Sequence, residues 1–233
     1  MKFNDELKKE YKYLYNEMTY TYNVYINKYI VNKIINAIEK NYDTYIEVEI
    51  YTGVPWYFIA CLHSMESNLD FKKHLHNGDS LLNKTVNIPV GRPEGKPPFT
   101  WVDSAIDAIE YLNLHKWNDW TIEGTLFKLE EYNGFGYRKY HPHVKSPYLW
   151  SGTNHYKSGK YIADGKWSET AISKQVGAAV ILKELITRES KKHEKLEIDN
   201  NENIDFKTGR LLTLLFIAMF SLMLIVGFFF KYK

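Results

Sequence analysis

A mainly α-helical domain with long loops, followed by one C-terminal transmembrane helix, is the fold class this sequence predicts. Three observations carry it. Apolar residues recur at spacings of three and four in several separate stretches, the period of helices with one face inward. Between them, residues 74–100 and 134–166 are rich in Gly and Pro and show no period, as functional loops often do. Finally, Leu211 to Phe230 carries no charge over twenty residues. At about 1.5 Å per residue that run spans a hydrocarbon core of about 30 Å. Arg210 flanks one end, and Lys231 and Lys233 the other.

Taken in order, residues 1–22 are polar and tyrosine-rich, a short helix or an arm laid over the domain. Residues 24–40 read as a helix with Ile26, Ile30, Ile34, Ala37 and Ile38 as its stripe. Thr44 to Tyr51 alternates loosely, which suits a strand, while Ile46 and Ile50 would share one face of a helix. Gly53 breaks the chain and Pro55 opens the next helix, which carries Glu66. Residues 102–114 form a helix with Ala105, Ile106, Ile109 and Leu112 inward, and residues 121–132 another with Ile122, Leu126 and Leu129. Gly134 and Gly136 end the latter. Residues 168–189 read as the clearest helix, capped by Ser168, with Ile172, Val176, Ala179, Val180 and Leu182 inward. Residues 190–209 are charged and asparagine-rich, a linker with little to bury.

Composition narrows the function. The soluble part, about 195 residues, is enough for one sizeable core. A net charge of +2 gives no footprint for nucleic acid, so no nucleic-acid partner is expected. Nineteen tyrosines and six tryptophans supply aromatic surface for a core or for sugar platforms. The single cysteine, Cys61, excludes an internal disulfide framework and reads as a small buried hydrophobe. The charged first ten residues lack the apolar segment of a cleavable signal. The pairs His74/His76 and His141/His143 offer too few ligands for a metal, and no cofactor is expected.

The chemistry concentrates on Glu66. Ile59, Leu62, Glu66 and Leu69 fall on one helical face, which places a carboxyl among apolar side chains. Dehydration raises the pKa of such a group, and a carboxylic acid that keeps its proton near neutrality can protonate a glycosidic oxygen. Ordinary hydrolysis needs a second carboxylate, and both Asp70, one turn beyond, and Asp79, in the following loop, are candidates. Without one, Glu66 acts as acid and base by turns. His63, three residues before Glu66, either tunes it or packs. Trp56, Trp101 and Trp150 serve as core or as sugar platforms, with core favoured for Trp56.

Several segments in fixed order carry a resemblance. They are Val54-Pro-Trp-Tyr-Phe-Ile-Ala60, His63-Ser-Met-Glu66-Ser67, Leu75-His-Asn-Gly-Asp79, Val90-Gly-Arg-Pro93 and Pro98-Phe-Thr-Trp101. Further on stand Gly124-Thr-Leu-Phe-Lys-Leu-Glu130, Tyr132-Asn-Gly-Phe-Gly-Tyr137, Ser146-Pro-Tyr-Leu-Trp150 and Gly159-Lys-Tyr-Ile-Ala-Asp-Gly165. Over residues 30–186 the chain resembles the bacterial and phage "lysozyme family" proteins, relatives of lytic transglycosylases and goose-type lysozymes. The resemblance implies a lysozyme-like helical domain that cuts the β-1,4 bond between N-acetylmuramic acid and N-acetylglucosamine in peptidoglycan. It implies Glu66 as the catalytic glutamate, and Tyr132 with Asn133 as the motif lining the cleft opposite it. Ser67, His63, Tyr137, Trp101, Tyr148 and Trp150 would complete the substrate contacts. The motif is incomplete, since Glu131 stands where alanine is usual and a Gly-Leu-Met-Gln motif is missing. The product, hydrolysed or 1,6-anhydro, therefore stays open.

The expected organisation is a peptidoglycan-cleaving domain at 1–189, with residues 1–22 as its N-terminal arm, a charged linker at 190–209 and a transmembrane helix at 210–230. Its partners would be peptidoglycan glycan strands and, through residues 211–230, a lipid bilayer. The expected location is membrane-anchored and single-pass, virion-associated or facing the cell wall. The rival expectation is a glycan-binding or structural component without catalysis.

Overall fold

A computed structural model describes residues 1–23, 26–192 and 194–195. Met1–Leu185 form one compact unit, mainly α-helical, and residues from Ile186 belong to a second.

Side-chain caps set four of the helix starts. Asn4 accepts from the Leu7 amide to open α1 (Asp5–Asn16), and Asn27 from the Ile30 amide to open α2 (Lys28–Lys40). Thr100 does the same for α5 (Trp101–Tyr111) and Thr121 for α6 (Ile122–Asn133). α3 (Tyr42–Thr52) ends at Gly53, whose positive φ of 69° closes the helix. α4 (Trp56–Ser67) starts after Pro55. Two short helices follow α6, namely α7 (Gly136–Tyr140) and α8 (Pro147–Trp150). A small antiparallel hairpin, β1 (Lys160–Ala163) and β2 (Lys166–Ser168), precedes α9, which occupies 178–185 of this unit.

α4 is the hub. Phe58, Ile59, Ala60, Cys61 and Leu62 are all fully buried, so the helix is apolar around its whole circumference. It packs against α3 and α6, and the Cys61 thiol meets the Ala178 carbonyl at the start of α9. α1 is part of the core rather than an arm over it. Tyr11, Leu14 and Met18 are buried, and the Tyr11 hydroxyl donates to Glu130 of α6 at 2.5 Å.

The structure corrects several expectations. Thr44 to Tyr51 is helical, and its buried residues are Tyr45, Val48 and Thr52 rather than Ile46 and Ile50. The β-branched residues there give way to the seat that α3 finds against α4 and α5. Residues 168–177 are not helix. Ser168 ends a strand, and Ile172 is exposed. That stretch bonds elsewhere: the Gly159 amide donates to the Ala171 carbonyl, and the Ser173 amide to the Tyr156 hydroxyl. Leu69 lies past the end of α4 with φ of 61°, so it does not continue the Glu66 face. Residues 190–192, expected as linker, are helical.

The expected single-pass, membrane-anchored location is corrected as well. Among the described residues no helix is long and apolar enough to cross a membrane. The run 211–230 lies outside the described residues.

Candidate active site

Glu66 occupies the last turn of α4, where the chain turns sharply. Asn68 and Leu69 both adopt left-handed backbone, with φ of 55° and 61°. Non-glycine residues held there cost about 1–3 kcal/mol each, and such strain clusters at functional sites. The turn is secured by the His63 carbonyl, which accepts from the Asn68 and Leu69 amides and the Ser67 hydroxyl. Gln175, in the segment before α9, donates its side-chain amide to the Met65 carbonyl at 2.9 Å. On the other side, Gly78 lies against the Glu66 carbonyl. A Cβ there would stand 2.9 Å from that oxygen, on a backbone with φ of +78°.

Two tyrosines face the Glu66 side chain. The Tyr148 hydroxyl, from α8, donates to Glu66 Oε1 at 2.8 Å. Burial raises the phenol pKa of Tyr132, near the end of α6, and the nearby Glu66 charge raises it further. The Tyr132 proton is already committed, because its hydroxyl donates to the Leu75 carbonyl at 2.9 Å and to the His76 carbonyl at 3.2 Å. Tyr132 therefore presents oxygen lone pairs, not a donor, to its surroundings. Burial pushes the Glu66 carboxyl up to about 7, against the pull of the Tyr148 hydrogen bond. No lysine or arginine pairs with Glu66 among the described residues. Glu66, Tyr132 and Tyr148 each keep part of their surface open to solvent.

The other predicted residues go elsewhere. Asp70 holds its own turn, accepting from the Lys72 amide at 3.0 Å. Asp79 clamps the loop. Its carboxylate accepts from the Val86 and Asn87 amides and from the Asn87 side chain, at 2.7–2.9 Å. Slight burial opposes these bonds, but they prevail and hold the Asp79 carboxyl below its usual range. Neither aspartate is among the groups that shift Glu66. Asn133 is exposed at the end of α6.

Five expected sugar contacts are corrected, since their side chains are closed off. His63 is fully buried between Tyr45, Phe71 and Trp101, with Nδ1 against the Tyr45 hydroxyl at 2.9 Å. Burial lowers its pKa to about 4, leaving a neutral core histidine. Trp101 is buried in the same cluster. Ser67 is buried and spends its proton on the His63 carbonyl. Trp150 is buried, at the wall of a cavity it shares with Glu10, Glu130 and Arg138 and not with Glu66, and Tyr137 packs on Tyr161 and Trp167 of the hairpin. Trp56, favoured for the core, is only half-buried.

What the sequence concealed is the support: Gln175, Gly78 and the Leu75–His76 carbonyls. Each acts through backbone atoms of a segment distant in the chain, and such contacts leave no periodic trace. Cavities of about 260, 350 and 400 Å³ open elsewhere on the unit, and Glu66 lines none of these three. No family model matches this chain, and neither a curated protein nor a solved structure does.

Proposed function

We propose that this chain is a peptidoglycan-cleaving enzyme of lysozyme-like helical fold, with Glu66 as general acid on the β-1,4 bond between N-acetylmuramic acid and N-acetylglucosamine. One observation carries the reading. A carboxyl whose pKa stands near 7 ends the central helix, held by a tyrosine hydroxyl and by no cation among the described residues. A structural acid at such a place is expected to be paired, because an unpaired buried charge is costly. An acid for glycosidic cleavage must instead arrive protonated.

The hydrogen bonds assign the atoms. Oε1 accepts from Tyr148, so the acid proton sits on Oε2. That proton passes to the glycosidic oxygen as the bond to the anomeric carbon breaks. The resulting carboxylate is stabilised by the Tyr148 hydroxyl, which remains in place. Asp70 and Asp79 both bond to their own loops, which favours the muramic 6-hydroxyl over a carboxylate-directed water as the nucleophile of the proposed reaction. It attacks the anomeric carbon and returns its proton to Glu66, giving a 1,6-anhydro end and regenerating the acid. Digestion of purified peptidoglycan by the full chain, with product masses measured, tests this. Anhydro-ended muropeptides support it, and reducing ends in their place point to a water-directing carboxylate.

One observation favours a second reading, a glycan-gripping module without catalysis: both candidate second carboxylates, Asp70 and Asp79, are bound to their own loops. Sedimentation with peptidoglycan that releases no soluble fragment is its signature.

A further inference from the structure

The segment Leu75–Gly78 touches Glu66's surroundings twice. Its Leu75 and His76 carbonyls hold the Tyr132 hydroxyl, and Gly78 packs on the Glu66 carbonyl. A side-chain array reaches this segment from α5 and the loop before it. The His76 ring contacts Asp107 Oδ2 through Nε2 at 2.7 Å. Arg92 grips the same carboxylate with two prongs, Nε on Oδ2 at 3.0 Å and Nη2 on Oδ1 at 2.5 Å. Because Asp107 accepts, Nε2 carries the ring proton, and His76 Nδ1 is buried with no partner. That arrangement fits a neutral ring, and burial lowers the His76 pKa although Asp107 pulls it upward. Other charged or titratable neighbours are Glu94, bound to Arg92, Tyr111, whose ring lies 5.2 Å from the Arg92 guanidinium, His74, held by Ser104 and the Asn83 carbonyl, and Lys96, Asp103 and Glu110, which line one cavity with Asp107.

We infer that Arg92, Asp107 and His76 are positioning residues for the acid: they pin Leu75–Gly78, so that the Tyr132 hydroxyl stays turned onto the loop carbonyls and away from the Glu66 carboxyl. The inference rests on Glu66 being the acid. Releasing the segment frees the Tyr132 hydroxyl to donate to the carboxylate, which favours the ionised form. The groups facing Glu66 itself are Tyr132 from α6 and Tyr148 from α8.

The test is the titration of Glu66 in the full chain, read from the ¹³C shift of its side-chain carboxyl and assigned by its disappearance in Glu66→Gln. Asp107→Asn lowers the midpoint by about one pH unit. His76→Gln, whose amide can still donate to Asp107, keeps the wild-type midpoint. Tyr11→Phe, which removes a buried hydrogen bond away from this segment, also leaves it unmoved. Should Asp107→Asn fail to fold, Arg92→Lys replaces it, since lysine keeps the charge but loses the two-pronged grip. An unmoved midpoint in Asp107→Asn, or in Arg92→Lys where that replaces it, or an equal fall in Tyr11→Phe, overturns the inference. The titration needs no substrate, so the two ideas fail separately. A wild-type chain that cuts no peptidoglycan sinks the functional reading, while an unmoved midpoint in an active enzyme sinks this one alone.

Discussion

Glu66 is a carboxyl whose protonated form the fold prefers, and that preference shows in both rate and stability. In the proposed reaction the acid must carry its proton, so turnover should fall as pH rises through about 7. Glu66→Gln removes the proton donor and lowers turnover by about 10²–10⁴-fold on purified peptidoglycan, with the fold intact by circular dichroism. A loss under tenfold denies Glu66 this role. Stability falls over the same pH range. The folded pKa of about 7 lies above the ordinary 4.5, so the group's contribution is complete below about 4.5 and gone once pH has risen past about 7. The Gln variant should therefore melt above the parent at pH 8, with the gap closing at pH 4.5. Asp79 makes the opposite case. Its three hydrogen bonds identify a loop clamp, and an asparagine oxygen can still accept from the two backbone amides. Asp79→Asn should keep turnover within tenfold, whereas a loss above a hundredfold restores Asp79 as the second carboxylate.

At the scale of elements, the site depends on how α8 and α9 meet. Tyr148 is on α8, and α8 has only four residues, too few to hold itself. It is seated by Gly177, whose amide donates to the Ser151 carbonyl at 2.9 Å. A Cβ on Gly177 would stand 2.3 Å from the Leu149 carbonyl oxygen. Gly177→Ala therefore forces α9 off α8, at a cost of about 1–3 kcal/mol for overpacking. Chemical denaturation should show that loss. Turnover should fall with it, because Tyr148 moves relative to Glu66. Unchanged turnover in the destabilised variant shows that Tyr148 does not need this seat.

At the scale of the whole unit, a polar cluster ties the chain's beginning to its later helices. Arg138 bridges Glu130 of α6 at 3.0 Å and Glu10 of α1 at 2.8 Å, and Lys145 adds a second contact to Glu10 at 2.6 Å. The Glu130 side chain is only 2% exposed, so its charge depends on its partners. Arg138→Met leaves that carboxylate uncompensated, which costs about 3–5 kcal/mol. For a domain of this size the melting temperature should drop by at least about 6 °C. A drop below about 2 °C means that the cluster is solvated and α1 is held by Tyr11, Leu14 and Met18 alone.

The sequence by itself determined the mainly helical class and the existence of α2, α4, α5 and α6, because their apolar residues recur at helical spacing and Pro55 opens α4. It also pointed to Glu66 as a dehydrated carboxyl, since one acid in an apolar helix has no polar side to turn to. Only the tertiary structure decided the rest. The helix at Tyr42–Thr52, the late start of α9 and the closing of His63, Trp101 and Trp150 into the core each follow from which neighbours a segment meets. Tyr148 stands 82 residues from Glu66, and the Leu75 and His76 carbonyls 57 and 56 residues from Tyr132. Local pattern sets which face of a helix turns inward. Contacts between backbone carbonyls and distant hydroxyls have no local pattern, so they exist only once the chain has folded.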